Sequence, residues 1–166
     1  DAMIEALDIL LEDAMNDKAL TVEEIGEILG KADFAAHQSE AEDRYGDTDD
    51  WRESRVRTAS WQAADWRQNA ERFQDIECRM IDAICDGAAP DSERAAGLVE
   101  EHREALSEFF PVTPAKHYIM SRGYIHDERF REHYDSQQVG FAQWLADAIE
   151  AVARQQGVDL ESPTWE

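Results

Sequence analysis

The residues of this 166-residue chain best suited to chemistry are five histidines and two cysteines, and their spacing limits what they can do. The densest group is His126, Asp127, Glu132, His133 and Asp135. On a helix His126 and His133 share a face. Seven residues at roughly 1.5 Å rise nevertheless leave them roughly 10 Å apart, too far to hold one metal ion without a fold around it. The group reads as a solvated, charged helix. Cys78 and Cys85 repeat the same interval, so on one helix they stand beyond disulfide reach and read as free thiols on one face, as in a reducing cytoplasm. His102 and His117 differ, because each interrupts an apolar stripe. A histidine there is either a satisfied core residue or a hydrogen-bonding group lining a pocket. The chain contains no HExxH, GxSxG, P-loop or GxGxxG stretch, and no Glu-x-x-His pair of the kind a helical di-iron site needs. An enzyme is not expected, nor is a cofactor or a bound metal.

Aromatic residues are the other candidates. Trp51, Trp61 and Trp66 fall close together, and Phe109, Phe110, Tyr118 and Tyr124 form a second group. Rings at helical spacing usually build core, yet rings beside polar acidic segments also suit a cleft for a flat or heterocyclic ligand. Phe110-Pro111 ends one helix and Thr113-Pro114 opens the next, so a sharp corner would expose rings from both. His117 and Met120 follow on the second helix, with Tyr124 two turns further along. Trp51 begins the segment after an acidic stretch. The cleft is therefore expected between the helix ending at Phe109-Phe110, the helix bearing His117 and Met120, and the segment around Trp51.

The elements that must position these groups read as helices throughout. No run alternates with period two, β-branched residues are sparse, and only four prolines and eight glycines interrupt the chain, so the fold class is all-α. Met3, Leu7, Leu10 and Ala14, with Ile4 and Leu11 alongside, make an a/d seam of barely two heptads. It reads either as the end of a coiled coil or as a short amphipathic helix docked on its own domain. Thr21-Val22-Glu23-Glu24 has the capping-box pattern and opens a helix that Gly30 stops. From Lys31 to Asp50 acids crowd around few apolar anchors, and little burial is expected. Trp66, Ala70, Phe73, Ile76, Met80, Ile81 and Ile84 then recur at helical spacing up to Gly87. Asp91 or Ser92 caps a helix expected to run through Phe110, and Thr113 caps another with proline at its first position. A short helix around Asp127 to Tyr134 leads to a last one carrying Phe141, Trp144, Leu145, Ala148, Ile149 and Val152.

Composition bounds the partners. Hydrophobic residues at 43% and charged ones at 33% suit a globular protein with a real core. A formal charge of -22 repels phosphate, so nucleic acid and anionic membrane surfaces are poor partners for this chain. The acid excess serves solubility, or attracts a cationic ligand or basic partner. No apolar run approaches the ~18 residues of a membrane span, and no signal peptide is seen. The chain opens at Asp1 without a methionine, as one that is processed or cut from something longer would.

Several blocks are more specific. EDRYGDTDDWRESRVRTASW, followed by Asp65-Trp66, resembles the E-R-[WY]-G-[ND]-T-x-x-[YW]-x-x-S signature of TipA-type antibiotic-recognition domains. VEEHREALSEFF resembles that family's helix with a buried His-Arg pair, here His102-Arg103. KHYIMSRGYIHDERF resembles its H-x(6)-Y-x-x-D-x-R-F block, here His117, Tyr124, Asp127, Arg129 and Phe130. QVGFAQWLADAI resembles its terminal helix, and the matches run in order across residues 40 to 155. The resemblance implies a globin-like helical domain in the C-terminal half of a MerR-type regulator, behind a DNA-binding winged helix and a dimerising coiled coil. It implies binding of peptide-like antibiotics or other bulky drugs, with a flexible N-terminal part that orders over the ligand. Thiostrepton-binding members carry two cysteines before the Tyr-x-x-Asp motif. The aligned positions here hold Val112 and Ile119, so non-covalent recognition is expected.

The expected organisation is a linker-helix end at 1–18, a flexible acidic lid at 19–50, a globin-like effector-binding domain at 51–157 and a tail at 158–166. The expected ligand contacts are Trp51, Ser54, His102, Phe110, His117, Met120 and Tyr124. The expected function is the antibiotic-sensing or multidrug-sensing domain of a cytoplasmic transcription regulator. Its homodimerisation and DNA contact would come through other parts of a full-length protein. The alternative is a free-standing drug-sequestering resistance protein of the same fold.

Overall fold

The computed structural model describes residues 20–31 and 34–166; the heptad seam expected in the first eighteen residues lies outside them. Eight helices and no strand occur among the described residues: α1 (Val22–Leu29), α2 (Phe34–Tyr45), α3 (Asp49–Thr58), α4 (Ala63–Cys85), α5 (Glu93–Leu106), α6 (Pro114–His126), α7 (Glu128–Asp135) and α8 (Phe141–Gln155). They divide into two compact units at Ala70, within α4.

In the N-terminal unit local chemistry dominates. Thr21 closes a capping box: its Oγ1 accepts the Glu24 amide at 3.2 Å while Glu24 Oε2 accepts the Thr21 amide at 2.8 Å. Gly30 ends α1 in the left-handed region at φ 67, letting its own amide and that of Lys31 turn back to the Glu27 and Gly26 carbonyls. Gly26 is buried where α1 meets α2; a methyl group there would stand 2.9 Å from the Lys31 carbonyl oxygen. Thr48 caps α3 by accepting the Trp51 amide at 3.2 Å. Asp49 and Asp50 begin that helix and Arg55 and Arg57 end it, matching its dipole. Neither α2 nor α3 contains a buried residue, and for α2 this is the outcome expected of the acid-rich stretch from Lys31 to Asp50. The apolar anchor of the unit is Trp66, edge-on to Trp61 at 4.8 Å and to Phe34 at 6.4 Å.

The C-terminal unit holds the larger core, and α8 is its centre. Nine of the fifteen α8 residues are buried: Phe141, Trp144, Leu145, Ile149 and Val152, with four alanines that let neighbours approach closely. It packs against α5, α6 and α7. Ile76 and Met80 of α4, and Leu98 and Val99 of α5, complete the apolar mass. α8 starts at Gly140, which has no side chain to cap it. Asp135, at the end of α7, supplies the missing acceptor: its Oδ1 takes the Ala142 amide at 3.0 Å. Trp144 donates its indole N–H to the Ala88 carbonyl at 3.0 Å, fixing the turn after α4.

One boundary differs from the sequence reading. α5 stops at Leu106 rather than reaching Phe110. Ser107 competes with the helix: its hydroxyl donates to the Arg103 carbonyl at 2.9 Å and accepts the Val112 amide at 3.4 Å. Tight turns at Glu108 and Phe109 then replace the helical bonds.

Candidate functional site

The turn between α5 and α6 is held from below. Arg103 donates to the Val112 carbonyl at 2.8 Å while pairing with Glu100 at 2.7 Å, so one guanidinium ties the end of α5 to the chain entering α6. Thr113 then caps α6 by accepting the Lys116 amide at 3.2 Å, with Pro114 in the first turn. Phe110 stands at this corner. Lys116 is a lysine only 8% exposed, and its ammonium donates to the Pro111 carbonyl at 3.1 Å. The same ammonium sits 6.0 Å from the Phe110 ring centre and 5.6 Å from that of Trp165.

One turn inside, His102 of α5 and His117 of α6 are each 1% exposed, with His102 Nδ1 and His117 Nε2 2.9 Å apart. Burial pushes the His102 imidazole down to about 4, against an opposing pull from the Glu77 carboxylate. Burial, then the nearby His102 and Arg103, hold His117 well below the ordinary histidine value. Both rings are neutral near pH 7, so one supplies the N–H and the other the lone pair. Around them stand Phe73, edge-on to His102 at 5.8 Å, and Tyr124, edge-on at 6.2 Å. Tyr124 is hydrogen-bonded to Tyr134, and burial raises the pKa of both phenols.

Glu77 of α4 completes this interior. Its side chain is 12% exposed and accepts from His133 Nε2 and Gln137 Nε2, each at 3.1 Å. Burial pushes its pKa up, but those two hydrogen bonds and the neighbouring His133 outweigh it and leave the carboxyl below the ordinary glutamate range. The result is a satisfied polar core spanning four helices, with its central imidazoles shut off from water. It carries no nucleophile beside an accessible base.

The expected contact residues thus fall in four places. His102, His117 and Tyr124 come together in the polar core, and Phe110 joins Lys116 and Trp165 at the corner. Met120 is half-buried on α6, while Trp51 and Ser54 are half-buried on α3 of the N-terminal unit. Sequence reasoning missed Glu77, although it lies on the Phe73–Ile84 stripe at helical spacing. It also missed Lys116 and Trp165, whose meeting has no local signal. An open groove of about 320 Å³ between α4 and α5, lined by Arg79, Asp82, Arg94, Gly97 and Glu101, shares no residue with the expected set. Its arginines are paired with Asp75, Glu101 and Asp86. No described group of three or more His, Cys, Asp or Glu side chains could hold a metal ion, and no described helix is long and apolar enough to cross a membrane.

Comparison with known proteins places this architecture. The model of the TipAS antibiotic-recognition domain matches residues 37–152. The HTH-type transcriptional activators TipA of Streptomyces coelicolor and Streptomyces lividans are each 31% identical over 135 residues, covering 81% of this chain and 53% of theirs. The chain thus spans about half the length of those relatives. The structure of TipAS from Streptomyces lividans in complex with nosiheptide, from a thiopeptide antibiotic multidrug resistance system, is similar with a TM-score of 0.73 and 30% identity. That likeness covers 84% of this chain and 98% of the other, and the shared helical fold is globin-like. Fold and sequence agree: this chain belongs to the family of TipAS antibiotic-recognition domains.

Proposed function

We propose that this chain is the effector-binding part of a cytoplasmic, MerR-type transcriptional activator that recognises a peptide-like antibiotic without covalent capture. The observation that carries the reading is the family match over residues 37–152, together with a fold shared with a nosiheptide-bound relative. The ligand stacks at the α5–α6 corner on Phe110 and extends along α6 towards Met120, with His102, His117 and Tyr124 as the fixed wall behind. Among the described residues of 20 to 50 only Ile25 and Gly26 are buried, so ligand is what protects the segment, and that ordering carries the signal towards a preceding coiled coil and DNA-binding domain.

Titration with nosiheptide tests this. Binding should be saturable and leave the intact mass unchanged after denaturation, and amides of residues 20 to 50 should slow in hydrogen exchange. Phe110→Ala should weaken binding by about 1–3 kcal/mol if the ring stacks on ligand. Unchanged affinity in a folded Phe110→Ala protein would remove the corner from the site. Absence of binding and protection with nosiheptide would overturn the peptide-antibiotic reading.

A further inference from the structure

The C-terminal tail returns to the same corner. Gly157, at φ 79, turns the chain off the end of α8, and Val158 and Leu160 pack against the core. Asp159 Oδ1 accepts the amides of Glu161 and Ser162 at 3.0 and 3.3 Å, a local turn that aims the last residues back towards α6. There Trp165 lies 6.4 Å from the Phe110 ring at an angle of 36°, and its indole lies over the Lys116 ammonium. The Thr113 hydroxyl, already the cap of α6, donates to the Glu166 backbone oxygen at 2.9 Å.

We propose that residues 158–166 form a strap whose Trp165 indole occupies the Phe110–Lys116 corner in place of ligand and must swing away for ligand to enter. The proposal rests on the placement of the ligand site at this corner. An aromatic ligand stacking on the face of Phe110 that Trp165 covers meets the indole first. Trp165 remains 43% exposed, so its docking is shallow and reversible. The aromatic contact with Phe110, the cation–π contact with Lys116 and the Thr113–Glu166 bond help to hold it, a closure that reduces apparent affinity by roughly tenfold. Release of the indole also uncovers a buried ammonium beside an aromatic ring, so the corner favours aromatic ligands bearing an acceptor or negative charge.

Anilinonaphthalene sulfonate, an aromatic anion, is a suitable probe because it tests the corner without needing the natural ligand. Trp165→Ala should bind it roughly tenfold more tightly than the parent protein, with the circular dichroism spectrum unchanged. The double variant Phe110→Ala/Trp165→Ala should lose that gain. In the parent protein the indole N–H resonance that disappears in Trp165→Ala should shift as the probe saturates. Equal or weaker probe binding by Trp165→Ala overturns the strap, as does a gain that persists in the double variant or an indole resonance that does not move. The nosiheptide titration is read separately. A strap released by the probe in a protein that ignores nosiheptide would leave the strap standing and remove only the peptide-antibiotic reading.

Discussion

Acidification from pH 7 to pH 5 should destabilise the C-terminal unit through His102. The imidazole titrates at about 4 in the folded chain against an ordinary value of 6.5, so between these values the unfolded chain binds a proton that the folded chain does not. Stability contributed by the neutral ring is therefore complete above pH 6.5 and is lost as pH falls towards 4. Linkage over this interval costs about 2 kcal/mol at pH 5 and about 3 kcal/mol once the folded-state value is passed. His117 adds to the loss in the same direction. An opposing effect must be separated: a chain of charge -22 repels itself less as its carboxylates take up protons. The assay is thus a difference between two proteins. His102→Asn places an amide where Nδ1 bonds His117, and it has no proton to gain. Urea melts of both proteins at pH 7 and 5 should show the parent losing about 2 kcal/mol more than the variant. Parallel losses would refute the claim that the buried imidazole is held neutral.

Two further outcomes follow from the packing. Glu77→Gln, at a side chain only 12% exposed, weakens its acceptance from His133 and Gln137 and should cost about 1–3 kcal/mol in a denaturant melt, with Tyr134 ring resonances shifting as α7 loosens. Gly26→Ala should loosen α1 from α2, because its methyl would stand 2.9 Å from the Lys31 carbonyl. The change would appear as faster amide exchange in α1 and α2, with that of α8 unchanged.

The fold was legible where a local signal carries the physics. Thr21, Ser92 and Thr113 cap the helices expected of them, and the apolar stripes of α4 and α8 fall on the buried faces. The end of α5 was misread because helical spacing continues through Phe109 and Phe110, whereas the Ser107 side chain takes over the backbone bonds. His102 and His117 stood out as polar breaks in apolar runs, but no spacing rule says that two imidazoles on different helices bond each other. Glu77 carried the same kind of signal, a carboxylate within a stripe, and went unread because charged residues on a helix are usually solvated. The Phe110–Lys116–Trp165 contact is long-range, and only the folded chain reveals it.

Asp135 caps a helix to which it does not belong, and this binds the fates of two elements. α7 is too short to persist alone in water, and α8 begins at a glycine that has no side chain to cap its first-turn amides. Each needs the other's end in place, so the Tyr134–Ala142 segment behaves as one cooperative unit that opens and closes together. Fraying of α7 propagates into the first turn of α8, where Phe141 is fully buried, and from there into the centre of the core. Local opening at this bend is therefore a step towards global unfolding, and its amides should exchange before those in the middle of α8.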